Sequence, residues 1–293
     1  MARGMDEHAT HKVRDPTPWG HEVERWLRSA ATVLACTLAL AAMWQSRSAS
    51  AQPAAKMAPV SFDEAAAMLH ASDPETVQAG IETLGVMGSR AAVAPLSARI
   101  RDGLPASLLA IAVDTLMVLG RPQAGPVLFE LTRHRRPEIR EKALVAIGTC
   151  RPRGAAEKVA RALTDPDGAV RAAAAQTLAE LGARDSIEAL FLAFDRGVVG
   201  SETALGKLLG PGEVRRLLGY LGKAPLNLVG PAVMKLLERQ DMPQAKKLEI
   251  ISALQELRTP QARSYLETFA ASPGSRKGSL RKAALRAAQQ IAP

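Results

Sequence analysis

Helix-breaking residues recur along this chain at nearly even intervals, and that punctuation limits the possible fold more than any other feature. Asp73-Pro74, Leu104-Pro105, Arg136-Pro137 and Asp165-Pro166 each stand where a helix would open, and Gly88, Gly120, Gly148 and Gly182 where one would close, at separations of 32, 28 and 34 residues. Proline at a first helical position sets φ in advance and gives up only an N–H that has no partner there. Glycine just past a helix end adopts the left-handed conformation that other residues avoid. Within one segment Val170, Ala173, Ala174, Thr177, Leu178 and Leu181 fall at helical spacing, which gives the helix one apolar stripe. A two-helix unit of this size cannot bury its own stripe and must stack on the next unit. The pattern predicts an all-α fold, an α-solenoid of helical hairpins wound as a right-handed superhelix.

Composition agrees. Aromatic residues make up only 3% of the chain, and the abundance of alanine, leucine, arginine and glutamate suits closely packed helices and not a sheet. No strand is expected.

The clearest unit runs from Asp165-Pro166-Asp167-Gly168-Ala169-Val170-Arg171 through Leu181-Gly182 to Ile187-Glu188-Ala189-Leu190. Arg136 to Gly148 follows nearly the same pattern, and Val77 to Leu96 follows it more loosely. These segments closely resemble the HEAT-like repeat of the phycobilisome lyases. The resemblance implies stacked hairpins, a within-repeat ion-pair ladder made by Arg140 and Arg171, and second helices lining the inner surface of the superhelix.

Ser61-Phe62-Asp63-Glu64 reads as a capping box that opens the first helix. Beyond Gly197 the punctuation loosens: helices are expected over 204–209, 213–221, 229–238, 244–257, 261–271 and 280–291, interrupted by prolines at 211, 225, 231, 243, 260 and 273. The last of them carries Arg281, Lys282 and Arg286 and is polar enough to close the stack.

The first part of the chain reads as an address. Ser29 to Ser46 holds no charged residue, Arg25 and Arg28 precede it, and Ala49-Ser50-Ala51 offers the small residues that a signal peptidase requires, so cleavage is expected before Gln52. A charge-free stretch of this length could equally cross a bilayer as an uncleaved anchor. The excess of Lys and Arg before it keeps the N-terminus in the cytoplasm in either case. The repeats would then be extracytoplasmic, periplasmic or secreted, touching membrane only if the segment is retained. The expected organisation is a signal segment over 1–51, a linker over 52–60, HEAT-like repeats over 61–197, and divergent helical repeats with a cap over 198–293.

Charge is concentrated. Residues 133–161 carry a net charge of +6, from Arg133, Arg135, Arg136, Arg140, Lys142, Arg151, Arg153, Lys158 and Arg161 against three glutamates, whereas residues 52–132 carry −3. Of these, Arg133, Arg135, Arg136, Arg151, Arg153, Lys158 and Arg161 are the candidate partner-binding residues. Such a cluster would attract an acidic protein partner or an anionic component of the cell envelope.

Catalytic patterns are missing from the sequence. After residue 51 the only histidines are His70 and His134, neither with the neighbours a metal site needs. Gly200-Ser201-Glu202-Thr203-Ala204-Leu205-Gly206-Lys207-Leu208 fails as a phosphate loop, since the glycines are too far apart and Leu208 replaces the hydroxyl, so Gly206-Lys207 is expected inside a helix. Cys150 would be a lone thiol just past a helix end, expected as apolar filler. No cofactor and no enzymatic activity are expected.

The favoured reading is therefore a non-catalytic scaffold or protein-interaction module using the inner surface of the stack. The resemblance also implies an alternative, a lyase or lyase subunit acting on a bilin or other tetrapyrrole. A nucleic-acid-binding protein is a further alternative, disfavoured because Trp19, Trp26 and Trp44 all precede Gln52 and cannot stack on bases if the segment is removed.

Overall fold

A computed structural model describes residues 60–275 and 278–291. Among these residues there are fifteen α-helices and no strand, only an isolated bridge between Leu221 and Ala224. In chain order the helices begin α1 (Phe62–Met68), α2 (Pro74–Met87), α3 (Val93–Asp102), α4 (Ala106–Leu119) and α5 (Gly125–Leu131). They continue α6 (Pro137–Cys150), α7 (Ala155–Arg161), α8 (Gly168–Leu181), α9 (Ile187–Asp195) and α10 (Ser201–Leu208). The last are α11 (Val214–Leu218), α12 (Leu226–Glu238), α13 (Gln244–Glu256), α14 (Pro260–Ala271) and α15 (Gly278–Gln289). The signal or anchor segment and most of the linker expected over 1–60 lie outside the described residues.

The helices form two rows. Each even-numbered helix packs directly on the next, from α2 through α14, whereas the odd-numbered helices touch one another only slightly until α13 meets α15. Small residues make the tight row possible. A Cβ at Gly85 would lie 3.0 Å from Thr115 Cγ2 of α4, and one at Gly206 would lie 2.7 Å from Lys235 Cβ and 3.0 Å from Ala232 Cα of α12. At Gly230 it would fall 2.3 Å from the Tyr265 hydroxyl of α14. A stack that is close on one row and open on the other curves toward the close row. The even-numbered helices therefore form the inner surface, which corrects the expectation that the second helix of each hairpin lines it.

Helix boundaries follow the sequence with four physical corrections. The end predicted at Gly148 lies two residues later, because Gly148 is a buried helical residue facing Thr177, and Arg151 takes the left-handed capping position at φ 47°. Measured between the left-handed caps at 88, 120, 151 and 182, the repeat is regular at 32, 31 and 31 residues. Asp165-Pro166 does not open α8. Asp167 caps it, accepting from the N–H groups of Ala169 and Val170, and Asp165 is left free for another role. Pro105 is likewise the cap of α4 and not its first residue. Pro231, expected to interrupt, lies inside α12. The N–H it lacks would have met the carbonyl of Asn227, and that residue is exposed, so the carbonyl is not left buried without a donor.

Other expectations hold. Ser61 and Glu64 form the capping box, Ser61 N–H donating to Glu64 at 2.8 Å and Glu64 N–H to Ser61 Oγ at 3.3 Å. One continuous apolar core runs through the described helices, with Phe191 and Phe269 its largest fully buried side chains. On α15 Arg281, Lys282 and Arg286 are all exposed.

Candidate functional site

The open row leaves clefts between successive odd-numbered helices, and the one between α5 and α7 gathers Arg133, Lys158 and Arg161 of the predicted basic patch. Its volume is ≈ 290 Å³, and its wall is built by Phe129, Glu130, Thr132 and Arg133 on one side and Lys158, Arg161, Ala162 and Asp165 on the other. Local sequence sets both walls. Gly125 lets α5 start against the next turn, where a Cβ would lie 2.5 Å from Pro152 Cβ. Thr132 then ends α5 by donating its hydroxyl to the Phe129 carbonyl at 2.8 Å. On the other wall Gly154, at φ 73°, opens α7, and a single 3₁₀ turn over Ala162–Thr164 delivers Asp165 to the cleft.

The carboxylates of the cleft are already committed. Asp165 accepts from Arg140 Nε at 2.8 Å and Nη2 at 2.6 Å, with side-chain exposures of only 12% for Arg140 and 10% for Asp165. Burial by itself would push the Asp165 carboxyl up. The hydrogen bonds from Arg140 and from the Asp167 N–H, with the charges of Arg140 and Arg171, outweigh it and hold the group below the usual carboxylate range. Glu130 is held by Arg101 of α3 at 3.0 Å, and Arg161 by Glu157. Arg133 and Lys158 make no side-chain hydrogen bond or ion pair among the described residues, so the cleft offers two uncommitted cations beside the apolar faces of Phe129 and Ala162.

The predicted basic patch is thus divided. Arg133, Lys158 and Arg161 meet in the cleft. Arg135 and Arg136 are exposed on the same edge, in the turn that leads to α6, with His134 Nδ1 accepting from the Arg136 N–H at 3.2 Å. Arg151 and Arg153 are at the far end of α6, a 14-residue helix and hence about 20 Å away. Arg151 there donates to the Glu180 carbonyl. The ladder also differs from expectation. Arg140 reaches forward to Asp165 of the next unit, so the pair joins neighbouring repeats, while Arg171 donates to the carbonyls of Asp165 and Pro166 at 2.8 and 2.9 Å.

Several contacts near the row have no sequence signal. Arg216 of α11 covers the Phe191 ring with Cζ 3.9 Å from the centroid, and Tyr220 donates to Asp195 at 2.7 Å, which together fasten α11 to α9. Arg239 donates to the carbonyls of Gly206 and Leu209 at 3.2 and 2.6 Å, capping the C-terminal end of α10. Gly206 and Lys207 are inside α10, as expected. Among the described residues no group of His, Cys, Asp and Glu could hold a metal ion, and no helix is long and apolar enough to cross a membrane.

Residues 125–198 match the family model for HEAT repeats. The HEAT repeats so marked span α5 to α9, the cleft included. No curated protein matches the chain. Among solved structures it is similar to the complex of CpcE and CpcF of phycocyanin lyase from Nostoc sp. PCC7120, at 21% identity over 82% of this chain and 100% of that one, with a TM-score of 0.45. It is also similar to human deoxyhypusine hydroxylase in complex with glycerol, at 18% identity over 78% and 95% with a TM-score of 0.39. A designed armadillo repeat protein is similar at 17% identity over 78% and 100% with a TM-score of 0.40. Likenesses this distant say nothing of activity or partner.

Proposed function

We propose that this chain is a non-catalytic interaction module outside the cytoplasm, a right-handed superhelix of HEAT-type hairpins that docks an acidic protein through its odd-numbered row. The observation that carries the reading is the pair of uncommitted cations, Arg133 and Lys158, beside Phe129 in the α5/α7 cleft. The two carboxylates that line the cleft, Glu130 and Asp165, are each paired with an arginine from outside it, so an incoming carboxylate competes less with internal anions for Arg133 and Lys158. The docking surface proposed is on the outer row, where the clefts open, and not on the inner one.

Pull-down from envelope extracts tests this, with partners identified by mass spectrometry and recovery compared between the unaltered chain and an Arg133→Ala, Lys158→Ala, Arg161→Ala variant. Loss of a defined partner at unchanged helicity supports the reading, and equal recovery removes the cleft from it. A stable visible absorbance band on mixing with a bilin would instead favour the tetrapyrrole-lyase reading.

Export is supported by the charge-free run behind Arg25 and Arg28 and by Ala49-Ser50-Ala51. Because all three tryptophans precede Gln52, processed protein should begin at Gln52 and lack tryptophan fluorescence. Strong tryptophan emission from protein recovered from its host would mean that the segment is kept.

A further inference from the structure

The two ends of the described array carry opposite charge, and neither end mixes signs. Residues 60–89, which build α1 and α2, hold Asp63, Glu64, Asp73, Glu75 and Glu82 and no lysine or arginine. All five are exposed, with Glu64 and Asp73 serving also as helix caps. At the other end α15 holds Arg281, Lys282 and Arg286 and no acid, and all three are exposed around Leu285, itself 39% exposed. None of these acids and bases forms an ion pair among the described residues. A terminal unit needs a polar outer face to keep the stack soluble. Mixed signs serve that purpose, whereas a face of one sign also sets up a field that steers an oppositely charged surface onto it. We infer that the acidic α1/α2 end of one copy of this chain docks on the basic α15 end of a second copy, head to tail, on a surface separate from the α5/α7 cleft.

Charge and helix geometry fix the form of the contact. Two acidic ends repel one another, as do two basic ends, so a two-fold symmetric pair is disfavoured and the interface is heterologous. On α15 Arg281 and Leu285 stand four residues apart, as do Lys282 and Arg286, which puts all four on one face with the apolar side chain among the cations. On α1 Asp63 and exposed Ala67 are spaced in the same way. Each end thus offers a small apolar centre with charge around it, of opposite sign. The 12 residues of α15 span about 18 Å. One face of such a helix covers on the order of a few hundred Å², below the roughly 800 Å² per partner of a stable complex. The association is therefore reversible and depends on concentration and salt. Because a docked copy keeps its other end free, the contact continues into short open chains.

Sedimentation velocity of the full chain over a range of concentrations tests this. The expected result is a weight-average mass that rises with concentration at low salt and returns to that of the monomer at about 1 M salt, where the screening length is about 3 Å. The set Arg281→Glu, Lys282→Glu, Arg286→Glu and the set Asp63→Lys, Glu75→Lys, Glu82→Lys should each leave a monomer. Circular dichroism should stay unchanged, since all six positions are exposed. A chain carrying both sets again has ends of opposite sign and should associate as the unaltered chain does. The milder Arg281→Gln, Lys282→Gln, Arg286→Gln set should weaken association about tenfold. In a mixture of isotopically light and heavy chains, carbodiimide should join Lys282 of one copy to an acid of α1 or α2 of another. A monomer at every concentration, a mass insensitive to salt, association that survives either reversed set, or no recovery when both are combined would overturn the inference. Association lost in an Arg133→Ala, Lys158→Ala chain and kept in the reversed α15 set would put the acidic end in the α5/α7 cleft, overturning the inference while the proposed function stands.

Discussion

Arg140 and Asp165 meet through two parallel hydrogen bonds of 2.8 and 2.6 Å across the junction between consecutive hairpins, both side chains nearly buried. Arg140 also donates to the His134 carbonyl at 3.0 Å, so a single guanidinium ties the end of one unit to the turn of the next. Removing one partner leaves the other charged and buried. Arg140→Ala or Asp165→Ala should therefore cost about 3–5 kcal/mol, measured by urea denaturation, and a loss below about 1 kcal/mol would show the pair to be solvated.

The same pair sets a pH dependence. The Asp165 carboxyl is depressed in the folded chain, so its contribution is fully present above the unfolded carboxylate pKa near 3.9 and is lost as pH falls through the lower folded value. Asp165→Asn should flatten the acid limb of the stability curve below about pH 5. An unchanged acid limb would assign it to other carboxylates.

Cys150 is the last residue of α6 and is 1% exposed, with its thiol 3.4 Å from the Leu116 carbonyl and its pKa pushed up by burial. A thiol reagent should label native Cys36→Ser chain at least about a hundredfold more slowly than the unfolded chain, since reaction requires local opening. Equal rates would mean that the end of α6 frays.

Gly206 lies where α10 and α12 approach closely. Gly206→Ala gains about 1 kcal/mol of helix propensity, but the added carbon would sit 2.9 Å from the Ala232 carbonyl oxygen and 3.0 Å from Ala232 Cα. These are backbone atoms that cannot swing aside. Net destabilisation of about 1–2 kcal/mol is expected in urea denaturation, and a stabilised variant would refute the tight crossing.

Burial and the hydrogen bond to Asp195 both raise the Tyr220 phenol above its ordinary pKa. In a Tyr265→Phe chain, spectrophotometric titration should place the remaining phenol above 10, and Asp195→Asn should bring it down. No movement on that substitution would remove Asp195 as a cause.

The helices were legible because proline and glycine act through local backbone geometry, which the sequence states directly. Errors fell where two residues compete for one role or where a distant contact decides. Asp165 and Asp167 can both cap a helix, and only the position of Arg140 across the junction shows why the second does so. Gly148 looked like a stop, yet its missing side chain makes room for Thr177 of the next helix, and the left-handed position passed to Arg151, a residue type that gives no such signal. The site was legible as charge and not as shape. Arg133, Lys158 and Arg161 meet because a short helix returns them to one edge, whereas the length of α6 carries Arg151 and Arg153 to the other. Glu130 cannot be known as neutralised without Arg101, 29 residues earlier.

The glycines at 85, 206 and 230 have a consequence for how such an array could change. Each withholds a single methyl group from the crowded side of the arc, so restoring one would straighten the local bend and narrow the gap on the opposite side. Bend and gap are mechanically one quantity here, and a change in either would reset what the far side can grip.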